Sequence, residues 1–124
     1  MGYESKIYIG TVVEGFSEEH NGERYKYVMP IVTIEMGCVY EMLENFAKVN
    51  NYYITVGNED IYEDCYGEKL ASCSLYKLHE WLLLAEKSEP NYRRYKLLAS
   101  VLFSFLSNSN QWQGDNLIVL NYGH

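Results

Sequence analysis

Alternation of apolar and polar residues near the N-terminus predicts two β-strands. Within residues 3–13, β-branched side chains occupy every second position from Ile7 to Val13, which is typical of a strand. Residues 25–34 repeat the alternation, and Asn21-Gly22 between the two runs is a strong turn signal. Pro30 falls in the middle of the second run and cannot donate to a sheet ladder. We therefore expect the second strand to lie at a sheet edge or to contain a bulge.

Three later segments have helical periodicity. Residues 38–49 place apolar side chains at helical spacing, and a pair of asparagines ends the pattern. A second helix is expected after Ser74, which is a good N-cap residue, and a third after Pro90. The third helix, residues 91–106, is apolar around much of its circumference. It should therefore be central in the fold or paired with another chain.

The remaining pattern completes the expected fold. Residues 52–56 and 117–120 are predicted strands, and residues 58–68 are an extended acidic segment with a turn at Gly67. The order of the elements predicts a single α+β domain over residues 1–124. Its sheet would be mostly antiparallel, with about four to five strands and about three helices packed on one face.

Composition supports a folded protein with basic partners. The chain has 124 residues, of which 48% are hydrophobic, and this is enough to bury a core. Its formal charge of −7 argues against direct nucleic-acid binding, which requires an excess of Lys and Arg. The charge is uneven, because residues 1–68 hold 13 acidic and 4 basic residues while residues 69–124 hold 4 and 6.

The N-terminus and the cysteines indicate the compartment. The chain opens without the apolar run of a signal peptide, and no apolar run approaches the length of a membrane span. Cys38, Cys65 and Cys73 are an odd number of cysteines. We therefore expect a cytoplasmic protein with free thiols and no membrane role.

The densest cluster of charge lies between residues 59 and 68. Five carboxylates and two tyrosines there form the candidate partner-binding site: Glu59, Asp60, Tyr62, Glu63, Asp64, Tyr66 and Glu68. Such a surface can imitate a DNA duplex, which carries one charge per ~1.7 Å, and occupy the basic channel of a nuclease. The alternative is a solvated loop that keeps the protein soluble. The ligand spacing of a calcium loop is missing, so no metal is expected.

A second cluster consists of Arg93, Arg94 and Lys96, in the first turns of the third helix. The helix dipole disfavours positive side chains there, so an anion such as a nucleotide phosphate would compensate them. The protein would then be a small-ligand binder or a nucleotide sponge. The alternative is that these side chains pair with Glu89 or with the acidic first part of the chain.

No motif in the sequence identifies a reaction. His79-Glu80 lacks the second histidine of a zincin motif because position 83 is Leu83, and the cysteine spacing does not fit a metal finger. We therefore predict a protein without enzymatic activity, cofactor or metal. In this interpretation His79 is a partly exposed helix residue and the cysteines are buried apolar groups.

Three further stretches of the chain are distinctive: the opening Met-Gly-Tyr-Glu-Ser-Lys-Ile-Tyr, the Tyr-Gly-Glu turn within residues 62–70, and the basic-then-apolar helix that begins near residue 92. Together they resemble small bacteriophage accessory proteins. The resemblance implies a phage protein that disables a host enzyme or defence system by direct binding, as anti-CRISPR proteins do. The implied partner is a CRISPR or other defence nuclease. A further alternative is a phage structural or assembly protein that oligomerises through the helix at 91–106.

Overall fold

Strands and helices alternate along the chain in the computed structural model, which describes residues 4–16, 24–108 and 116–123. The described residues form seven strands and three helices: β1 (Ser5–Phe16), β2 (Arg24–Gly37), α1 (Tyr40–Leu43), β3 (Ala47–Lys48), β4 (Tyr52–Val56), β5 (Glu59–Ile61), β6 (Ala71–Cys73), α2 (Leu75–Leu83), α3 (Tyr92–Ser107) and β7 (Leu117–Gly123). The predicted α+β class is confirmed, whereas four to five strands is too few. The predicted Asn21-Gly22 turn lies outside the described residues.

The long pair of β1 and β2 is antiparallel along its whole length. Its register shifts beside Pro30, where Ile31 has no partner on β1 and forms a bulge. A bulge tolerates the missing amide hydrogen of proline, so this part of the prediction is confirmed. Gly10 lies opposite Pro30 and has no room for a side chain, because a Cβ there would lie 2.2 Å from the carbonyl oxygen of Met29.

The sheet is mixed rather than purely antiparallel. The described strands follow the order β3-β6-β7-β1-β2-β4-β5. β2 and β4 are parallel over a short stretch, and the other pairings between described strands are antiparallel. A parallel pair requires a crossover connection, which here contains α1 and β3.

The two faces of the sheet bury separate apolar clusters. On β1, Ile7 and Ile9 pack beneath the helices, whereas Tyr8 between them packs on the opposite face. The opposite cluster joins Ile54 of β4 to Leu70 beside β6. Because β4 and β6 are far apart in the strand order, the sheet must curl to bring them together. The helices cover one face, as predicted, and the curl closes over the other.

The helix predicted over residues 38–49 is wrong in extent. α1 ends at Leu43, and the chain then enters β3, which pairs with β6. The side-chain amide of Asn45 donates to the carbonyl oxygen of Met42 at 2.9 Å. Asparagine competes in this way with the backbone bonds that would continue a helix. The apolar residues at helical spacing in residues 38–49 are therefore distributed over a short helix, a turn and a strand.

α2 and α3 form where the sequence predicts them. The Ser74 hydroxyl accepts a hydrogen bond from the Lys77 N–H at 3.1 Å and caps α2. α3 begins two residues after Pro90 and packs against α2 and the sheet. Two of its large apolar side chains, Leu97 and Phe103, are 60% and 59% exposed. Oligomerisation through this helix stays a prediction.

Candidate functional site

The acidic segment, residues 59–68, begins as a strand at the rim of the sheet. β5 pairs with β4 and with no other described strand. The chain then folds back, so that the Leu70 N–H donates to the Tyr62 carbonyl oxygen at 3.2 Å. Gly67, at the predicted turn, has a φ of +77°, which glycine adopts without strain. We call residues 59–68 the acidic edge.

Asp64 holds the turn of the acidic edge together. Its Oδ1 accepts hydrogen bonds from the backbone N–H groups of Tyr66 and Glu68, both at 2.9 Å. Its own N–H donates to the Glu68 carbonyl oxygen at 2.6 Å. Aspartate commonly stabilises turns through such side-chain contacts with its own backbone. The acidic edge is therefore a hydrogen-bonded turn, and the Asp64 carboxylate is part of its frame.

Two other carboxylates of the acidic edge contact more distant parts of the sheet. Asp60 accepts hydrogen bonds from the Thr55 hydroxyl at 2.8 Å and from the Tyr27 hydroxyl at 3.3 Å. Burial, followed by the charge of Asp60, raises the pKa of Tyr27. Glu68 forms an ion pair with Lys48 of β3. These carboxylates therefore stabilise the local fold in addition to carrying charge.

Glu59 and Glu63 are the two exposed carboxylates of the acidic edge that have no internal partner among the described residues. Both are exposed, and within residues 4–16, 24–108 and 116–123 neither side chain forms a hydrogen bond or an ion pair. Strand alternation places Glu59 on the same side of β5 as Ile61 and Asp60 on the other side. Because β5 is at the rim of the sheet, a partner that approaches the rim contacts both sides.

The predicted contact tyrosines are exposed beside these charges. Tyr62 and Tyr66 are 53% and 66% exposed. The ring of Tyr62 packs against Tyr53, with centroids 5.6 Å apart, and Tyr53 packs edge-on against Tyr25 at 5.4 Å. Such aromatic pairs restrict the orientation of their rings. Tyr62 therefore presents a supported aromatic surface next to Glu63.

A pocket of about 350 Å³ opens at the far end of the acidic edge. Asp64 and Glu68 line it together with Tyr40, Leu43, Phe46, Lys48, Lys69, Ala71 and Asn121. Ala71 and Asn121 are partners across β6 and β7, on the face of the sheet that the helices cover. We call this cavity the Phe46 pocket. The Phe46 pocket is therefore a concave surface that adjoins the acidic edge.

The Phe46 pocket does not follow from the sequence pattern, which predicts that Phe46 lies inside a longer helix. With α1 ending early, the ring is only partly buried and forms a wall of the pocket. Lys48 reaches the pocket from β3 and Lys69 from the segment just before β6, and Lys69 also donates to the side chain of Asn50. The available sequence signal was Asn45, a residue type that favours helix ends over helix interiors.

The three basic residues of the second cluster have different surroundings in the fold. Arg94 donates from Nη1 to the Met36 carbonyl oxygen at 3.0 Å and packs over Gly37, whose φ is +69°. The ammonium of Lys96 lies 5.3 Å from the centroid of the Tyr92 ring, within the range of a cation–π contact. Arg94 and Lys96 are therefore engaged within the protein.

Arg93 and Arg94 share a depression of about 450 Å³ with Lys87 and Glu89, but Lys96 does not line it. The predicted pairing with Glu89 is not found, since no ion pair among the described residues joins Glu89 to either arginine. The three predicted residues thus do not converge on one anion site.

Glu89 also lies beside two other carboxylates, on a second cavity. Desolvation, followed by the nearby charges of Glu41 and Glu86, raises the pKa of Glu89. The three glutamates line a pocket of about 230 Å³ together with Trp81 and Tyr95. The rings of Trp81 and Tyr95 pack edge-on, 5.2 Å apart. We call this cavity the Trp81 pocket.

The histidine and the cysteines are dispersed. His79 is partly buried in α2 and stacks against Phe103 with centroids 6.1 Å apart. Burial raises the pKa of the Cys73 thiol, whereas Cys38 and Cys65 are exposed, so the prediction of buried cysteines is wrong for these two. In the part of the chain that the structure describes, no group of three or more His, Cys, Asp or Glu side chains has a metal-binding arrangement.

The described helices are short compared with a membrane span. α3, with 16 residues, is the longest described helix, and a membrane span needs about 20 residues. Accordingly, no helix in the described ranges is long and apolar enough to cross a membrane. Comparisons with protein-family models, with curated proteins and with solved structures find no match.

Proposed function

We propose that the protein acts by binding a partner with a basic surface through the acidic edge, and not by catalysing a reaction. The observation that carries this proposal is the exposure of Glu59 and Glu63, without internal partners among the described residues, on a hydrogen-bonded frame. The exposed charges steer a basic partner, and because the turn backbone is already fixed by hydrogen bonds, it loses little conformational entropy on binding.

The resemblance to phage accessory proteins supports a more specific proposal about the partner. It is a host protein of the cytosol, and a CRISPR or other defence nuclease is the class we favour. A nuclease channel carries Lys and Arg side chains that neutralise phosphates, and carboxylates can occupy the same positions. The exposed rings of Tyr62 and Tyr66 would add the aromatic contacts that are common at interface hot spots.

The internal hydrogen bonds and the ion pair of the acidic edge indicate which of its carboxylates would contact the partner protein. Asp60, Asp64 and Glu68 are engaged by hydrogen bonds or an ion pair, so Glu59 and Glu63 are the most available charges. We therefore propose a short contact at the sheet rim that combines charge with tyrosine rings. An extended imitation of the phosphate ladder would need more unpaired carboxylates.

A pull-down from a lysate of the bacterial host tests the charge contribution. The tagged protein is compared with the double variant Glu59→Lys/Glu63→Lys, at about 50 mM and about 500 mM salt, where screening differs strongly. Glu44→Lys/Glu80→Lys, at two exposed acids elsewhere, is the matched control. We expect a partner that the wild type and the control retain at low salt and that the double variant loses. Equal retention by the double variant would show that the acidic edge does not bind.

A purified partner nuclease then tests the proposed mode. Displacement of a fluorescently labelled duplex from the nuclease is measured as the protein is added. We expect displacement by the wild type and at least tenfold weaker displacement by Glu59→Lys/Glu63→Lys, since both charges contact the channel. Binding to the nuclease without displacement of the duplex would contradict competition for the channel, while the proposed protein binding would stand.

A further inference from the structure

We propose that the Phe46 pocket receives an apolar anchor side chain, aromatic or leucine-like, from the same basic partner that binds the acidic edge. The proposal rests on the proposed function, because it assigns a second contact to the same interface. The acidic edge would orient the partner by charge, and the pocket would bury apolar surface of the partner.

The dimensions and walls of the Phe46 pocket suit such an anchor. Its volume of about 350 Å³ lies at the lower end of the ~300–1,000 Å³ that is usual for small-molecule pockets, which leaves room for one large side chain. Tyr40, Leu43 and Phe46 supply two aromatic walls and one aliphatic wall, and Ala71 leaves space where a larger residue would fill it. Interface hot spots are enriched in aromatic side chains that lose their contact with water when they enter a partner's pocket.

The charges around the pocket indicate which residues should flank the anchor. Lys48 pairs with Glu68 at the pocket, and Lys69 and Asp64 also line it, so charges of both signs are present. Farther along the acidic edge, Glu63 and Glu59 are negative and have no paired cation among the described residues. The complementary segment therefore carries an apolar side chain with lysines or arginines displaced from it along the chain.

Continuity with the acidic edge favours a protein segment over a free small molecule. Asp64 and Glu68 belong to the hydrogen-bonded turn and to the pocket wall at the same time. A partner bound at Glu63 thus comes within reach of the pocket without a change in the fold. A small apolar molecule would use the pocket alone and gain nothing from the acidic edge.

Defined peptides test the proposal without an identified partner. The probe is an acetylated, amidated peptide with a central tryptophan and lysines on both sides. The comparison peptides replace the tryptophan with serine or the lysines with glutamates, and N-acetyltryptophanamide serves as the free small molecule. Binding is followed by backbone amide chemical shifts in the full chain. We expect shifts at Leu43, Phe46 and Ala71 with the first peptide and about tenfold weaker binding of each comparison probe, equivalent to ~1.4 kcal/mol.

Substitutions in the chain locate the anchor. Ala71→Phe fills the pocket and is expected to weaken binding of the tryptophan peptide about tenfold, ~1.4 kcal/mol, without affecting the serine peptide. Tyr40→Ser removes an exposed wall and serves if Ala71→Phe does not fold. Leu84→Phe, at an exposed position of the α2 end, is the matched control and should bind normally.

The outcomes separate this proposal from the proposed function. Unchanged binding of the tryptophan peptide by Tyr40→Ser or a folded Ala71→Phe, shifts confined to the Trp81 pocket, or equal binding of N-acetyltryptophanamide would overturn the anchor. Loss of partner binding in Glu59→Lys/Glu63→Lys together with normal partner binding by a folded Ala71→Phe would leave the proposed function intact and overturn the anchor alone. The reverse pattern would overturn the acidic edge as the binding surface.

Discussion

The acidic edge and the basic cluster at 93–96 look equivalent in the sequence and differ in the structure. In the acidic edge, Asp64 organises a turn, and this turn presents Glu63 to solvent. In the basic cluster, Arg94 binds a backbone carbonyl and Lys96 contacts a ring of its own helix, so Arg93 is the most available charge. The difference shows that a charged cluster presents unpaired charges on a fixed frame only where some of its members support that frame and others have no internal partner.

The largest effect is expected from Asp64→Ala, because it removes the acceptor of two backbone N–H groups. Hydrogen bonds to a charged group contribute about 1.5–3 kcal/mol, so we expect a loss of roughly 2 kcal/mol in the free energy of unfolding, measured with denaturant. Glu63→Ala, at an exposed neighbour, should change it by less than about 0.5 kcal/mol. Similar losses for both would contradict the division between frame and presented charge.

A smaller loss is expected for Arg94→Ala in the basic cluster. The substitution removes the hydrogen bond to the Met36 carbonyl oxygen at the end of β2, which is worth about 1 kcal/mol. Arg93→Ala should be close to neutral, within about 0.5 kcal/mol. If the two variants are equally stable in denaturant titration, Arg94 is not engaged with β2 and the contrast with the acidic edge is lost.

The contrast explains what the sequence reveals and what it hides. Regular alternation in β1 and the capped apolar stripe of α2 follow from local chemistry, and the structure confirms both. The partners of Asp60 and Glu68 are not local, since Tyr27 is 33 residues from Asp60 and Lys48 is 20 residues from Glu68. Only the tertiary fold decides which carboxylates are satisfied.

The short strands β3 and β6 and the parallel pairing of β2 with β4 could not be predicted from the sequence, because they too depend on the tertiary fold. β3 and β6 contain two and three residues, which is too few to display a period of two. The pairing of β2 with β4 depends on a crossover through α1 that periodicity does not specify. The curl that brings the acidic edge to the Phe46 pocket follows from these pairings, and so the pocket could not be predicted.

A still smaller loss of stability is expected from breaking the ion pair between Glu68 of the acidic edge and Lys48. Glu68→Gln removes the exposed ion pair with Lys48, and such pairs contribute about 0–1 kcal/mol. We expect a loss of about 0.5 kcal/mol at low salt that disappears near 1 M salt, where charges are screened beyond ~3 Å. A loss that is independent of salt would mean that Glu68 stabilises the turn by packing and not by charge.

The smallest effect on stability is expected from a substitution of Glu89, the acid beside the basic cluster. This substitution should increase stability, whereas the others decrease it. Because desolvation and the charges of Glu41 and Glu86 raise the pKa of Glu89, the folded protein binds a proton at Glu89 more tightly than the unfolded chain does. Stability should therefore fall as the pH rises from the ordinary glutamate pKa through the raised one. Glu89→Gln removes the repelled charge and should increase the melting temperature at pH 7.

Acid pH provides the internal control for this last prediction. At about pH 3, below the ordinary glutamate pKa of about 4.3, Glu89 is protonated in both states and Glu89→Gln should have no effect. Glu80→Gln, at an exposed acid of α2, controls for the loss of one negative charge. Destabilisation by Glu89→Gln at pH 7 would show that Glu89 does pair with Arg93 or Arg94. The basic cluster would then be neutralised internally through Glu89, and its difference from the acidic edge would be greater still.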